Sequence, residues 1–253
     1  MEIKERTVRA AGEDPRLRCA VERLQEAGYT EASEAAVTLC PPPWDEERLA
    51  REAERLPPGG LLVTGRRFPS VWAAAERRGG SALCLAEDDG YRRINGMATA
   101  EGVFAEAARL SPRMLAGEVT AVLGYGFCGR AVALLFRAAG CRVPVYTRPA
   151  SRARAVREGF APLELGALKN CSLVINTVPE PDFLALFLPC FAPGTLFLQV
   201  ASGAIPGEEA LTAAGVRCVS LPGLPGKYAP ETEGMTIAAL VLRASGDPFR
   251  RAK

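Results

Sequence analysis

The stretch Val119-Thr-Ala-Val-Leu-Gly124-Tyr-Gly126-Phe-Cys-Gly129 runs from an unbroken apolar segment through three spaced glycines into a helical pattern that stops at Gly140. Glycines at this spacing occur by chance in many chains. Here they lie between a strand and a helix, with another strand after the helix, and that context makes the signal specific for a dinucleotide-binding βαβ unit. Gly124 allows the tight turn, Gly126 lets the backbone approach a pyrophosphate, and Gly129 lets the helix pack closely on the strand. The helix start then offers N–H groups and the positive end of its dipole to the anion. Gly124, Tyr125, Gly126, Phe127, Cys128 and Gly129 are therefore read as a cofactor loop. A continuous apolar strand such as 119–123 is expected to be buried on both faces of a parallel sheet.

Outward from this unit, the strand over residues 142–147 ends in Thr147-Arg148-Pro-Ala-Ser151-Arg152. NAD binders usually place a carboxylate there for the adenosine ribose. With no carboxylate, two hydroxyls and two guanidiniums, the segment favours the 2′-phosphate of NADP, NAD remaining possible. Further on, Val174-Ile-Asn176-Thr177-Val178-Pro179 closes another strand on polar groups, and such strand ends line the cofactor cleft in doubly wound folds. Asn176 and Thr177 are candidates for the nicotinamide half; an ordinary strand-ending turn explains the spacing equally well.

The remaining chain repeats the same alternation of short apolar runs and helical patterns. Strands are predicted over 6–11, 35–40, 61–64, 82–86, 172–176, 195–200 and 216–219. Helices are predicted over 15–28, 45–56, 69–78, 99–113, 130–139 and 232–242, the last ending before Gly246-Asp247-Pro248. The acidic turn Glu87-Asp-Asp-Gly90 marks the first plausible boundary, and the helix after it connects two α/β units. Residues 222–230 read as a rigid loop carrying Lys227, the only lysine between residues 169 and 253. That lysine is a candidate for a substrate carboxylate or for proton transfer, and equally for a solvated surface residue.

Composition excludes much of the usual catalytic vocabulary. None of the 253 residues is histidine, so histidine general bases, Ser-His relays and histidine-ligated zinc are ruled out. A net charge of +2 with 24% charged residues suggests neither nucleic acid nor a membrane surface as partner. The eight cysteines show neither CxxC pairs nor metal-ligand spacing, so no metal site is expected. Most lie in apolar runs, which fits reduced thiols in the cytoplasm. The N-terminus lacks the apolar core of a signal peptide. The uncharged stretch 183–206 is broken by Pro189, Pro193, Gly194 and Gln199, so it reads as buried helix, turn and strand instead of a membrane span.

Taken in order, several motifs resemble the family of dipicolinate synthase A-type subunits. They are Ile94-Asn95-Gly-Met-Ala-Thr99-Ala-Glu101-Gly102, the 122–129 glycine turn, Thr147-Arg148, Ile175-Asn176-Thr177-Val-Pro179, Val200-Ala201-Ser202 and Pro222-Gly-Leu-Pro-Gly226-Lys227-Tyr-Ala-Pro230-Glu-Thr232. The resemblance is strongest over residues 87–242 and diffuse before. It implies an α/β protein in which a Rossmann doubly wound parallel sheet follows a smaller flavodoxin-like α/β domain. The corresponding division is 1–94 for a substrate or partner domain, 95–228 for the NADP-binding domain, and 229–253 for a C-terminal helix packing back toward the first. It further implies oxidation of a dihydrodipicolinate-level precursor, a small dicarboxylate from the lysine pathway, with the flavoprotein-like B-type subunit of dipicolinate synthase as partner; a homo-oligomer is expected as well. On this resemblance Asn95, Thr99 and Glu101 would face the substrate, with Lys227 opposite, and Arg92, Arg93 and Lys227 become candidate carboxylate holders. From the residues alone, Thr99 and Glu101 read instead as a helix cap with a first-turn carboxylate. The chain departs from the family after Ala201-Ser202, where Gly203-Ala-Ile-Pro206-Gly207 replaces an Arg-Pro-Gly-Gly stretch. Two alternatives stand beside this reading: an NADP-binding module without turnover, and a hydroxyacid- or shikimate-type dehydrogenase.

Overall fold

A computed structural model describes residues 5–246. The predicted turn at Asp247-Pro248 and the end of the 229–253 segment lie outside the described residues, as do residues 1–4. The chain divides into two compact units, one made of residues up to Ile94 together with those from Ala229 onward, the other of Asn95–Tyr228.

The first unit carries β1 (Thr7–Ala10), α1 (Pro15–Glu26), β2 (Thr30–Glu31), β3 (Val37–Leu39), α2 (Glu46–Glu54), β4 (Leu61–Thr64), α3 (Pro69–Arg77) and β5 (Ser81–Cys84). It also holds the start of α4 (Asp89–Leu110) and all of α10 (Pro230–Ala244). All strand pairs are parallel, in the order β2-β1-β3-β4-β5. This is the flavodoxin-like order. Local signals set the helix starts: the Asp14 carboxylate accepts from the Arg16 amide at 3.0 Å, that of Asp45 from the Arg48 amide at 2.9 Å, and Pro69 opens α3. Val8, Val37 and Leu61 pack against α1 and α10, whereas Leu62 packs on the opposite face with Leu49, Leu56 and Val71. Helices therefore cover both faces. Gly234 permits the tight approach of α10 to α1, since a Cβ there would lie 2.7 Å from the Arg16 carbonyl oxygen.

The second unit contains the rest of α4, β6 (Thr120–Leu123), α5 (Phe127–Ala138), β7 (Val145–Tyr146), α6 (Pro149–Arg157), β8 (Leu173–Asn176), α7 (Pro181–Ala185), β9 (Leu196–Gln199), α8 (Glu208–Ala213), β10 (Arg217–Ser220) and α9 (Leu224–Tyr228). Its parallel strands run β10-β9-β8-β6-β7. Beyond β7, residues 161–163 add an isolated bridge: the Val145 amide donates to the Ala161 carbonyl and the Leu163 amide to the Val145 carbonyl. With that bridge as its third strand, the sheet has the 3-2-1-4-5-6 order of the dinucleotide-binding fold. Pro162, which has no N–H, confines the segment to an edge. On one face Val122, Ile175 and Leu198 meet α4 and α5; on the other Leu123, Val174 and Phe197 meet Phe187, Leu184 and Leu211.

Several expectations need correction. The acidic turn at 87–90 is no break: α4 starts at Asp89, where the Asp88 carboxylate accepts from the Tyr91 amide at 2.8 Å. Thr99 is consequently deep inside a helix and caps nothing. The strand expected over 142–147 shrinks to two residues because Pro144 cannot donate to a ladder. The 222–230 loop contains the short helix α9. Among the described residues no two cysteines form a disulfide, and burial pushes the Cys40 thiol up to about 12 and that of Cys171 to about 11. Among the described residues no helix is long and apolar enough to cross a membrane.

Candidate nucleotide site

At the carboxyl ends of β6 and β8 the strand order reverses, the crevice where doubly wound sheets bind ligands. The turn after β6 is built tightly. Gly124 has φ +101°, which disfavours any side chain, and a Cβ there would come 2.9 Å from Cγ2 of Val178 and closer still to the Thr177 hydroxyl. A Cβ on Gly129 would fall 2.8 Å from both the Gly124 carbonyl carbon and the Thr177 hydroxyl. Gly126 differs: nothing lies within 4 Å of where its Cβ would be, and it begins α5 without a side-chain cap. Two glycines thus close the turn, and the third leaves open space over a helix N-terminus.

The 176–179 segment supports this turn. Both the amide and the hydroxyl of Thr177 donate to the Leu123 carbonyl at 2.9 Å. Asn176, 1% exposed, donates to the Val178 carbonyl at 3.0 Å and to Oε1 of Gln199 at 2.9 Å, and accepts from the Val178 amide at 3.1 Å. Its side chain therefore holds the loop, with Gln199 as a partner the sequence reading missed. Val178 walls the turn and Pro179 is exposed.

Tyr125 points away from the crevice. It is buried against Phe160, and its hydroxyl donates to Glu158 at 2.5 Å. Glu158 also accepts from Arg130 at 2.8 Å and Arg154 at 3.1 Å, which hold its carboxyl down at about 2. This carboxylate, also missed, ties the start of α5 to the end of α6. Phe127 and Cys128 are in the first turn of α5, which begins three residues earlier than expected; Phe127 and Cys128 are half-buried. Past β7, Thr147 and Ser151 are half-buried, whereas Arg148 and Arg152 are exposed. Thr147 and Arg152 border a small recess lined also by Val156, Phe160 and Glu164.

On α4, Gly96 brings the helix against the glycine turn: a Cβ there would lie 2.9 Å from the Phe127 carbonyl oxygen. Asn95 is half-buried, and Thr99 is buried with its hydroxyl donating to the Asn95 carbonyl at 2.7 Å. Glu101 is exposed and lies about 120° round the helix from the stripe that Asn95, Thr99, Gly102 and Glu106 share. Lys227 pairs not with Glu101 but with Glu106, at 2.5 Å. The Glu106 side chain, 4% exposed, also accepts from the Tyr228 hydroxyl at 2.7 Å and from Arg109 at 2.7 Å. Donors from Lys227, Tyr228 and Arg109 hold the Glu106 carboxyl down at about 2, and Glu106 in turn raises the pKa of Lys227. A lysine kept protonated in this way can hold an anion and is a poor proton acceptor. In the first unit, Arg92 pairs with Asp89 at 3.2 Å and Arg93 is exposed.

Over 184 residues, 70% of this chain, the sequence is 33% identical to the A-type subunit of dipicolinate synthase of Bacillus subtilis (strain 168). Over that segment the chain is similar to the family of dipicolinate synthase A-type subunits. The matched segment spans 60% of that relative's length. The crystal structure of the A-type subunit of dipicolinate synthase from Bacillus halodurans superposes with a TM-score of 0.80 over 98% of this chain and all of that one, at 21% identity. A 3-phosphoglycerate dehydrogenase of Entamoeba histolytica with bound NAD+ shares the fold at a TM-score of 0.60 and 15% identity, over 96% of both chains. No protein-family model matches the chain.

The missed residue of most consequence in this relative of dipicolinate synthase is Glu106. Its signal was present in the spacing, since Thr99, Val103, Glu106 and Leu110 form one i, i+4, i+7, i+11 stripe. A carboxylate at an inward position of such a stripe needs a cationic partner, which Lys227 supplies.

Proposed function

We propose that this chain is an NADP-dependent oxidoreductase that converts a dihydrodipicolinate-level precursor to dipicolinate, working with a flavoprotein-like B-type subunit. The observation that carries the proposal is the glycine turn, where Gly124 and Gly129 admit no side chain and the space beside Gly126 is open. The likeness to dipicolinate synthase A-type subunits supports the substrate class.

When bound, the nicotinamide supplies the hydride acceptor. The chain's task is to bind and orient. Backbone around residues 124–129 would cradle the pyrophosphate at the start of α5. Thr177 and Val178 keep that turn in shape, and Asn176 keeps them in place. Thr147, Arg148, Ser151 and Arg152 would receive the 2′-phosphate, which two guanidiniums suit better than a ribose hydroxyl. Asn95 is the proposed substrate-facing group of α4, Glu101 lying off its stripe on the exposed side, and Lys227 serves as a cation, not as a base. The overall change removes one hydride and one proton from the dihydropyridine ring. Aromatisation drives it, so the reaction asks little of a protein acid, and a chain without histidine suffices.

The test is to mix the purified chain with NADP and freshly generated dihydrodipicolinate, with and without the B-type subunit, and to follow NADPH. Formation of NADPH in either mixture supports the proposal. A second reading, an NADP-binding module without turnover, is favoured by the pairing of Lys227 with Glu106; NADP binding without NADPH formation in both mixtures would establish it.

A further inference from the structure

A planar dicarboxylate needs a guanidinium or backbone donors, and the stretch Ala201-Ser202-Gly203-Ala204-Ile205-Pro206-Gly207 after β9 carries no cation. The carboxyl edge of the first unit's sheet offers one. In open parallel sheets ligands settle outside the carboxyl ends of the strands, next to the point where strand order reverses. In this sheet that point lies between β1 and β3. The loops there are locked together. Gly12, after β1, sits so close to the loop after β3 that a Cβ would lie 2.9 Å from the Trp44 ring and 3.1 Å from Pro41. Gly65, after β4, is pressed on the backbone of Pro42, where a Cβ would come 2.5 Å from the carbonyl oxygen. The buried Thr64 hydroxyl donates to the Arg66 carbonyl at 2.8 Å and fixes the backbone that carries this arginine.

The two cations of these loops are treated differently. Arg67 lies over the Trp72 ring at 5.0 Å and is paired with Glu87 at 3.3 Å. Arg66 is exposed and lies 5.8 Å from the centre of the Phe68 ring, and among the described residues no carboxylate pairs with it. A guanidinium beside an aromatic ring and without a carboxylate partner keeps its planar fork available for bidentate carboxylate binding.

We propose that Arg66 holds a carboxylate of the planar dicarboxylate at the carboxyl edge of the first sheet. This rests on the dipicolinate reading given above. Dipicolinate itself, stable and available, is the probe: it is titrated calorimetrically in metal-free buffer into the full chain and its Arg66→Gln, Arg66→Lys and Arg67→Gln variants. Circular dichroism and thermal unfolding verify that each variant is folded. Arg66→Gln is expected to weaken dipicolinate about tenfold or more, Arg66→Lys to recover part of that loss, and Arg67→Gln to stay within about twofold of the parent. Unchanged affinity in Arg66→Gln, no dipicolinate binding to the parent, or equal losses in both Gln variants would each overturn the proposal. NADPH formation by the same preparations separates it from the reading it rests on. Parent turnover with an unchanged KM in Arg66→Gln removes the Arg66 site and leaves the oxidoreductase. Arg66-dependent dipicolinate binding with no turnover does the reverse.

Discussion

The Thr177 hydroxyl fills the space that a side chain on Gly124 would need, and it donates from there to the Leu123 carbonyl at 2.9 Å. The turns after β6 and β8 are thus one interlocked object, and the glycines in it are not equivalent. Gly129→Ala would push a methyl into the Gly124 carbonyl and the Thr177 hydroxyl, an overpacking expected to cost roughly 1–3 kcal/mol of stability. Gly126→Ala meets nothing in the protein and needs no unusual φ, so it should unfold at the parent's denaturant midpoint while NADP affinity falls about tenfold or more. Denaturant titration beside calorimetric NADP binding checks both.

On the proposed reading, the pair of exposed arginines after β7 selects the cofactor. Arg148→Ala with Arg152→Ala should lower NADP affinity about tenfold and leave NAD affinity within about twofold, because only NADP carries the 2′-phosphate. An unchanged NADP-to-NAD ratio in parallel titrations would place the phosphate elsewhere.

Acid should loosen the second unit. The carboxyls of Glu106 and Glu158 ordinarily titrate near 4.5 and are held at about 2 in the fold. A depressed carboxylate contributes stability that is complete above its unfolded value and disappears as pH falls through the folded one. Stability should therefore drop between about pH 4.5 and pH 2. Glu106→Gln should be less stable than the parent at neutral pH and show a shallower drop over that window, as read by denaturant unfolding at stepped pH.

At Gly96, α4 rests on the backbone of Phe127, with 2.9 Å separating a Cβ position from the carbonyl oxygen. Gly96→Ala must displace the helix or the glycine turn. A stability loss of roughly 1–3 kcal/mol with weakened NADP binding is expected. Gly59→Ala, at an open but left-handed position, provides a contrast: it should cost stability through backbone strain and leave NADP binding intact.

The architecture was legible because parallel strands buried on both faces announce themselves as apolar runs, and the three spaced glycines after residues 119–123 marked the tight strand-to-helix turn. Boundaries failed where a partner decides them. Residues 87–90 look like a turn, but the Asp88 carboxylate caps the Tyr91 amide and starts a helix there. The edge strand at 161–163 is formed by two hydrogen bonds to Val145 and has no periodicity to betray it. Side-chain roles were harder still. Asn176 and Tyr125 sit in the expected segments, yet both are turned inward, toward Gln199 and Glu158, and no spacing reveals such a rotation. Lys227 was conspicuous by its rarity; its carboxylate Glu106 lies 121 positions away and resembles many other helix-surface glutamates.

The most direct test of the proposed chemistry is the fate of the hydride. Ring-deuterated dihydrodipicolinate, mixed with the chain and NADP in the presence of the B-type subunit, should yield dipicolinate and NADPH in equal amounts, with deuterium carried on the nicotinamide ring. Dipicolinate formed with unlabelled NADPH, or with none, would contradict direct transfer to a cofactor bound at the Gly124–Gly129 turn.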